Sequence, residues 1–494
     1  MTSPDLNAGC FGAFFAKRRS TANGTSVQSF SRVTANSQTR TIAYENAANP
    51  KSAGEKKSIS NFSPFCDYSS GKQKDWWLLE QEPLPSYSLK ADDTNELTRN
   101  DIGNLIDHTL DKYDAQLRVL SLRIHDHPET MFEENFAHDL LTNFMAKQGF
   151  KVTKHYLGLQ TAWRAEYSQG SGGRVIGINS EMDALKGLGH ACGHNLIAIS
   201  GVGVAIALKA ALQARREVSA KIVLLGTPAE ESGGGKVILL ERGGYEGMDA
   251  CMMCHPTVGI AHSTSIGSTN AMQAISVQYF GHSAHAGNAP WEGTNALDAA
   301  FLAYSSISML RQQMKPDHRL HGIVEGKDWL PNVIPDYSKM RWIARAPTSE
   351  EVEVLVKRVV DCLRAAAIAT GCEIDVKLDV AYFDLHQNSA LAQYYTDIVG
   401  NRYGLLTLQD GSSASTDFGN VSYAFPALHP AFAIPTVPNG GNHTPGFAKA
   451  SRTREAHNAT MTVVRGLSLT GYRVLTDDEF FCKVKATFEH PKGA

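Results

Sequence analysis

Short apolar runs alternate with helix-like segments through the middle of this 494-residue chain, and this alternation limits its fold more than any other feature. The runs RVIGINSEM, AKIVLLGTPAE and MDACMMCHP are short and apolar enough to be buried strands. The segments between them, NLIAISGVGVAIALKAAL and GGKVILLERGGY, are helix-like. The pattern predicts a largely parallel sheet that is covered by helices on both faces.

A second pattern begins near Asn270 and ends near residue 384. Its segments follow in the order β-α-β-β-α-β, from AMQAISVQYFG to CEIDVKLDVAYF, which is typical of a ferredoxin-like α+β unit. Thr348 and Glu351 predict a capping box at the start of its second helix, and Gly371 predicts the end of that helix. Because ALHPAFAIP and a last helix-like segment follow, we expect this unit to interrupt the α/β domain.

These patterns divide the chain into four segments. We expect an extension over residues 1–95, a catalytic domain over 96–269 and 385–494, and an inserted domain over 270–384. The extension is rich in Ser, Thr, Asn and Lys with little periodicity, which is typical of a disordered or loosely docked segment. It has no acidic residue between Asp5 and Glu45 but several arginines, as an organellar transit peptide does. We expect a cytoplasmic protein, with organellar targeting by the extension as the alternative.

Composition excludes several classes of partner. The net charge of −3 leaves no electrostatic footprint for nucleic acid or an anionic membrane. We find no run of about 18 apolar residues, which argues against a membrane span. The eight cysteines are scattered through a long chain, which favours a reducing compartment over a disulfide framework. We therefore expect a small-molecule substrate, with neither nucleic acid nor membrane as a partner.

The residues that can carry chemistry collect directly after the predicted strands. GLGHACGHN follows the first strand, Glu230 and Glu231 follow the second, and His255 ends the third. His443 lies in a late glycine-rich stretch, NGGNHTPGF. Because open parallel sheets place their sites at the carboxyl ends of the strands, we expect these side chains to meet. The candidate ligands are Cys192, His194, Glu231, His255 and His443, with Glu230 beside them.

This set of donors predicts metal chemistry. Thiolate and imidazole ligands suit Zn²⁺, and a carboxylate lets Mn²⁺ or Co²⁺ compete. Five donors exceed one tetrahedral shell, so we expect two divalent cations roughly 3.5–4 Å apart. Of the two adjacent glutamates, one can bind metal while the other accepts a proton from water and passes it to the leaving amine.

Part of the set has a second interpretation, the attachment of haem. Cys251 to His255, CMMCH, has the C-x-x-C-H spacing of such a site. The segment lies in an apolar run, where we expect Cys251 and Cys254 to pack as small hydrophobic residues. We therefore expect no haem.

Several stretches between about Ile124 and the C-terminus carry a family resemblance. They are IHDHPETMFEE, SEMDALKGLGHACGHN, GTPAEESGGGKVILLE, MMCHP, GHSAHAG, PNVIPD, STDFGNVS and NHTPGFAKAS. Over about three-quarters of its length the chain resembles the dinuclear metallo-amidohydrolases of peptidase family M20. That family includes aminoacylase, carboxypeptidase G and p-aminobenzoyl-glutamate hydrolase, and the resemblance is closest to its aminoacylase-like dipeptidases.

The resemblance implies a role for each donor, with Glu230 as the general base. The implied metal ligands are Cys192, His194, Glu231, His255 and His443. Asp183 matches a carboxylate that other branches place two residues after a ligand histidine. Because Glu181 occupies that histidine position here, we expect Asp183 to support a ligand rather than bind metal itself. His190 is expected either to support a ligand in the same way or to be a turn residue.

Residues of the inserted domain are also implied. His285, in GHSAHAG, matches a histidine that is presented to an active site, in some relatives that of the other subunit. An imidazole there can stabilise the tetrahedral oxyanion. Asn332 and Arg345 fall where relatives bind substrate, and a guanidinium suits a free carboxylate. The resemblance further implies a homodimer formed through the inserted domain.

The sequence therefore predicts an α/β fold with a mostly parallel sheet flanked by helices and an inserted ferredoxin-like α+β domain. It predicts a metal-dependent amidohydrolase that cleaves a small dipeptide or an N-acyl amino acid. One alternative is the same fold redirected to a natural-product amide or to a non-hydrolytic reaction, and another is a non-catalytic binding dimer. Lys186 and Gly446 stand where relatives usually have a proline and an acid, which leaves the choice of substrate open.

Overall fold

The computed structural model describes the backbone of residues 94–489 and the side chains of residues 101–489. The extension expected over residues 1–95 lies outside the described residues, apart from Thr94 and Asn95, where the first helix begins. All the elements below belong to one compact unit.

The described residues form helices and strands in alternation. The helices are α1 (Thr94–Asp126), α2 (Asn135–Lys147), α3 (His194–Ala214), α4 (Gly235–Glu241), α5 (Ala296–Leu310), α6 (Ser349–Thr370), α7 (Ser389–Tyr403), α8 (Phe418–Ala424), α9 (Pro445–Ala450), α10 (Arg454–Thr476) and α11 (Asp478–Glu489). The strands are β1 (Lys151–Lys154), β2 (Trp163–Gln169), β3 (Arg174–Glu181), β4 (Ala220–Thr227), β5 (Ala250–Met252), β6 (His255–Thr257), β7 (Ser263–Ser265), β8 (Ala271–Phe280), β9 (Arg319–Gly326), β10 (Tyr337–Ala346), β11 (Glu373–Tyr382), β12 (Leu406–Leu408), β13 (Ala427–Leu428) and β14 (Ala431–Ala433).

The largest sheet has the strand order β1-β2-β4-β3-β5-β13. Strand β3 pairs in parallel with β4 and β5, and β5 pairs in parallel with β13, whereas β1 and β2 form an antiparallel edge. Along β4, Ile222 and Leu224 join the core cluster that contains α1, α3 and α10, while Val223 and Leu225 join the cluster that contains α4 and α8. Since alternate side chains of a strand point to opposite faces, helices cover both faces. The predicted fold class is confirmed.

The run MDACMMCHP does not form the single strand expected of it. Strand β5 ends at Met252 in the large sheet, whereas β6 begins at His255 in a small sheet ordered β12-β7-β14-β6. The late segment ALHPAFAIP breaks in the same way, because β13 pairs with β5 and β14 pairs with β6. Backbone hydrogen bonds from Met253 to Leu428 and from His255 to Pro430 keep the two segments together across the break. His255 therefore lies at the boundary between two sheets.

The four-stranded sheet of the inserted segment has the order β11-β8-β10-β9 and is antiparallel throughout. With helices α5 and α6 between its strands, it forms the predicted ferredoxin-like unit. Trp342 of β10 and Tyr279 of β8 are buried in a core cluster that also contains residues of α5 and α6. This cluster is separate from those of the large sheet.

Helix α6 has the predicted ends but only half of the predicted capping box. The Thr348 hydroxyl accepts a hydrogen bond from the Glu351 backbone N–H at 3.3 Å, and Gly371 ends the helix with a φ of 75°. The Glu351 carboxylate contacts Lys315 and His318 instead of returning to Thr348. Lys315 and His318, which lie outside the helix, take the place of the Thr348 backbone as partners of the Glu351 carboxylate.

Helix α3 is the core helix of the large sheet. Contrary to the expectation from sequence, it is long and apolar enough to cross a membrane, but 89% of its apolar window is buried inside the protein. Gly201 allows it to approach strand β3 closely, because a Cβ at this position would lie 2.2 Å from Ser180 Oγ and 3.0 Å from Asn179 O. The spacing between α3 and β3 therefore depends on a glycine.

Gly201→Ala is expected to lower the melting temperature by several degrees, because an overpacked methyl group costs about 1–3 kcal/mol. Gly400→Ala in helix α7 is the matched control, since the nearest atom to a Cβ there is Leu405 O at 3.7 Å. Alanine inside a helix is favoured over glycine by roughly 0.5–1 kcal/mol, so the control should melt no lower than the wild type. Circular dichroism would measure both, and equal melting of the two variants would contradict the close packing of α3.

Candidate metal centre

The loop GLGHACGHN places Cys192 and His194 at the start of helix α3. Gly193, between them, has a left-handed φ of 83°. A Cβ on Gly193 would lie 2.6 Å from Pro256 Cγ and 3.3 Å from the Phe447 ring. Both the backbone conformation and the available space therefore require glycine, and the two flanking side chains are held at the carboxyl end of β3.

The other donors come from three further segments. Glu230 and Glu231 follow strand β4, and His255 is the first residue of β6. His443 lies in the loop before α9, where its backbone N–H donates to Ala191 O at 2.8 Å. This hydrogen bond ties the late segment directly to the loop that carries the thiol.

The ligand atoms converge on two neighbouring positions. Cys192 groups with His194 and His255, and it also groups with Glu231 and His443; in each group the ligand atoms lie within 4.8 Å of one another. Cys192 Sγ lies 3.4 Å from His255 Nε2, and Glu231 Oε2 lies 3.3 Å from His443 Nε2. Of the three such groups among the described residues, these two share the thiol, and the third joins Glu181, His194 and Glu230.

The hydrogen bonds of His194 and His255 leave the Nε2 atom of each ring available as a metal ligand. His194 Nδ1 lies 3.1 Å from Asp183 Oδ1, and His255 Nδ1 lies 2.8 Å from Pro256 O, so each ring donates through Nδ1. Within the described part of the chain, His194 Nε2 and Glu231 Oε1 are buried without a hydrogen-bond partner. Such atoms are destabilising when left unsatisfied, and bound cations would satisfy both. The donor set therefore fits a metal centre.

Buried carboxylates make this centre electronegative. Burial alone would lower the pKa of His194, but the carboxylates of Asp183 and Glu181 raise it well above its usual value. Burial also raises the pKa of Glu230 well above the usual range, and the carboxylates of Glu181 and Glu231 add to this rise. The centre thus favours positive charge, and Glu230 has the raised proton affinity of an acid–base group.

Asp183 and His190 lie near the donors but belong to none of the ligand groups. Asp183 Oδ2 accepts from the Glu231 backbone N–H at 2.9 Å, and Asp183 Oδ1 contacts the His194 ring. Its two oxygens therefore contact two candidate ligands. His190 Nε2 lies 3.1 Å from Ile124 O, and the His190 carbonyl accepts from Ser451 Oγ at 3.1 Å. Burial lowers the pKa of His190 to about 3, so its ring is neutral. These contacts favour a turn residue, one of the two roles left open for it.

A buried ion network beside the centre was not predicted. Lys236, in α4, donates through Nζ to Glu181 Oε1 and Asp417 Oδ1, each at 2.6 Å, and the three side chains are fully buried. Burial alone would raise the pKa of Glu181, but the Lys236 ammonium and the nearby histidines lower it to about 2. The available signal was a lysine within the apolar run GKVILLE, because lysine is almost never fully buried without a partner.

Arg345 of the inserted sheet lies within electrostatic range of the centre. Its Nη1 donates to Ser415 Oγ at 2.7 Å. Burial lowers the pKa of its guanidinium, while the carboxylates of Glu230 and Glu231 act in the opposite direction. A substrate carboxylate placed between the metal ligands and this guanidinium would therefore find a cationic partner.

His285 and Asn332 are exposed on the inserted segment. His285 Nδ1 accepts from the backbone N–H groups of Gly287 and Asn288, each at 3.2 Å. The Asn332 carbonyl accepts from the Ala286 backbone N–H at 3.0 Å. Among the described residues, no hydrogen bond or ion pair joins either side chain to the candidate ligands. Their predicted roles therefore stay predictions.

Residues 177–450 match the family described as Peptidase family M20/M25/M40. The chain is 40% identical to the Xaa-Arg dipeptidase of Mus musculus over 401 residues, which cover 76% of this chain and 91% of that protein. It is 38% identical to the Xaa-Arg dipeptidase of Homo sapiens over 400 residues, covering 77% and 90%. Identity to a p-aminobenzoyl-glutamate hydrolase chain of Escherichia coli (strain K12) is 28% over 301 residues, covering 57% and 61%.

Solved structures share the fold. A dinuclear metal binding peptidase of Bacillus subtilis, from the M20 family, matches with a TM-score of 0.56 at 19% identity, over 74% of this chain and 99% of that one. A putative aminohydrolase from methicillin-resistant Staphylococcus aureus matches with a TM-score of 0.61 at 17% identity, over 76% and 100%. At such low identity the likeness shows the fold alone.

Lys236→Met is expected to lower the free energy of unfolding by about 3–5 kcal/mol, because it leaves two buried carboxylates without their cation. Lys154→Met is the matched control, since Lys154 and Asp139 form an exposed ion pair at 2.7 Å that should contribute at most about 1 kcal/mol. Urea unfolding would measure both. A Lys236→Met protein as stable as the control would contradict a structural role for the buried network.

Proposed function

Because the chain belongs to peptidase family M20, we propose that it hydrolyses dipeptides at a two-metal centre with Glu230 as the general base. Hydrolysis of an amide bond follows from the family and from the two Xaa-Arg dipeptidases, which match the chain over about 90% of their own lengths. The proposal of a two-metal centre with Glu230 as the base is supported by one observation. The buried Glu230 carboxyl lies beside two ligand groups that share Cys192.

The proposed centre holds two divalent cations, Zn²⁺ or Mn²⁺, with Co²⁺ as a third candidate. Cys192, His194 and His255 would hold one, and Cys192, Glu231 and His443 would hold the other. When bound, such cations would supply Lewis-acid polarisation of the amide carbonyl and a water molecule of lowered pKa. The mixed thiol, imidazole and carboxylate donors support a transition metal over Mg²⁺ or Ca²⁺, which prefer all-oxygen sites.

The side chains of this protein would move the protons and orient the donors. Glu230 accepts a proton from the attacking water and delivers it to the nitrogen of the leaving amine. Asp183 keeps the His194 ring in the tautomer whose Nε2 lone pair faces the centre, and it holds the Glu231 backbone at the same time. One carboxylate therefore orients two donors from different segments, His194 at the start of α3 and Glu231 in the loop after β4.

For the substrate, we propose a dipeptide whose C-terminal residue is basic. The support is the similarity to the two Xaa-Arg dipeptidases, at about 40% identity, which is closer than the similarity to the aminobenzoyl-glutamate hydrolase. Arg345, within range of Glu230 and Glu231, is the proposed partner of the dipeptide's free carboxylate. The intact base and ligand set favour catalysis over a non-catalytic binding dimer.

We also propose a homodimer formed through the inserted domain and a cytoplasmic location. The exposure of His285 and Asn332 is compatible with a role in a partner's site, where the His285 imidazole would face the developing oxyanion. Neither proposal affects the assignment of Glu230.

Glu230→Gln is expected to keep both metals and to lose activity about 100-fold or more, because an amide cannot accept the proton from water. Glu241→Gln, at the exposed end of α4, is the control and should keep full activity. Turnover of Ala-Arg, Ala-Lys, Ala-Leu, Ala-Glu and N-acetyl-arginine with added Mn²⁺ or Zn²⁺, together with metal analysis, would measure both effects.

The panel also separates the alternatives. A basic dipeptidase should show its highest kcat/KM with Ala-Arg or Ala-Lys. A preference for N-acetyl-arginine would replace the dipeptidase assignment with an acylase. Full activity of Glu230→Gln would remove Glu230 as the base, and activity that survives complete metal removal would refute the two-metal proposal.

A further inference from the structure

The turn that carries Glu230 has a strained backbone. Ala229, directly before it, has a φ of 59°, in the left-handed region. A residue with a Cβ is destabilised there by roughly 1–2 kcal/mol, and such strain persists only where the surroundings hold the backbone in place. The direction of the Glu230 side chain follows from this backbone conformation. Contacts that fix the backbone of the turn therefore also orient the Glu230 carboxylate.

Glu134 holds the turn from one side. It lies immediately before helix α2 and is fully buried, although it is far from Glu230 in sequence. Its Oε1 accepts from the Ala229 backbone N–H at 2.9 Å, and its Oε2 accepts from Thr161 Oγ1 at 2.6 Å. Burial raises the pKa of Glu134 to about 7, which shows how little solvent reaches this carboxyl. One oxygen of this buried carboxyl therefore binds the backbone N–H of the strained residue, Ala229.

Tyr382 holds the other end of the segment Ala229–Glu230. Its hydroxyl donates to the Glu230 carbonyl at 2.7 Å, and its ring is only 3% exposed. A Cβ on Gly234 would lie 3.2 Å from Tyr382 Cε1, so this glycine leaves room for the ring against the turn. Tyr382 is the last residue of β11, where the chain leaves the inserted sheet for the catalytic part.

We propose that Glu134 and Tyr382 are positioning residues that clamp the two-residue segment Ala229–Glu230 at its two ends, Glu134 at the Ala229 N–H and Tyr382 at the Glu230 carbonyl, and so orient the Glu230 carboxylate. The proposal rests on the proposed function, because it assumes that Glu230 is the base. It gives the inserted domain a second role, since Tyr382 connects the end of its sheet to the backbone of the base. Displacement of β11 would therefore change the orientation of Glu230.

Tyr382→Phe removes the hydroxyl and keeps the ring, so it tests the clamp with little loss of packing. We expect kcat to fall about 10- to 100-fold with unchanged KM and metal content, because small misplacement of a catalytic group costs rates of this size. Hydrogen exchange followed by mass spectrometry should show faster exchange in the peptide that spans residues 228–232. The assay uses the full-length protein loaded with Mn²⁺ or Zn²⁺.

The matched control is Tyr279→Phe. Tyr279 is a buried tyrosine of β8 in the same sheet, and its hydroxyl donates to the Leu363 carbonyl at 2.9 Å. The control loses the same kind of hydrogen bond away from the turn, so it should keep the wild-type kcat. An equal fall in kcat for both tyrosine variants would overturn the proposal, because the effect would then come from general loosening of the inserted domain.

Glu134 offers a rescue series. Glu134→Gln keeps an acceptor for the Ala229 N–H and can donate to Thr161, so we expect a kcat within about threefold of wild type. Glu134→Leu removes the acceptor and should lower kcat at least about 10-fold with unchanged metal content. Equal kcat values for the two variants would overturn the role of Glu134, and Tyr382→Phe decides the proposal if the leucine variant does not fold.

Glu230→Gln in the same assay distinguishes failure of the proposed positioning role from failure of the proposed function. If Glu230→Gln is inactive while Tyr382→Phe keeps the wild-type kcat, the clamp is wrong and the proposed function stands. If Glu230→Gln is fully active, the proposed function itself is wrong. Loss of metal in Tyr382→Phe would also overturn the clamp, because the effect would then act through the ligands.

Discussion

Buried negative charge is the constraint on which the rest of this structure depends. Glu181, Asp183, Glu230 and Asp417 are buried close together, and the ammonium of Lys236 bonds only two of them. Buried charge is strongly destabilising unless it is paired, so the centre favours further positive charge, to which the raised pKa of His194 already contributes. The donor groups that share a thiol lie where bound cations would supply it. Folding and catalysis therefore depend on the same electrostatic balance.

The ligand set could be predicted because its geometry follows from local rules. Parallel strands bring their carboxyl ends to one edge, so Cys192, Glu230 and Glu231 were expected together from the strands that precede them. The order of the inserted sheet followed in the same way from its pattern of strands and helices.

The contacts that support the site could not be predicted, because they join residues that are remote in sequence. Lys236 and Asp417 are separated by 181 positions, and no local pattern indicates which acid a buried lysine will meet. Tyr382 resembles any apolar strand residue until the fold places its hydroxyl on the Glu230 carbonyl. The break before His255 was missed for a related reason, since an apolar run does not show that it passes from one sheet to another.

Anomalous X-ray diffraction from crystals grown with Mn²⁺ or Zn²⁺ tests the central claim most directly. We predict two peaks per chain, both within roughly 2.3 Å of Cys192 Sγ when the ion is zinc. One peak should lie beside His194 and His255, and the other beside Glu231 and His443. A map without anomalous density at this place, with the donors turned away from one another, would contradict it.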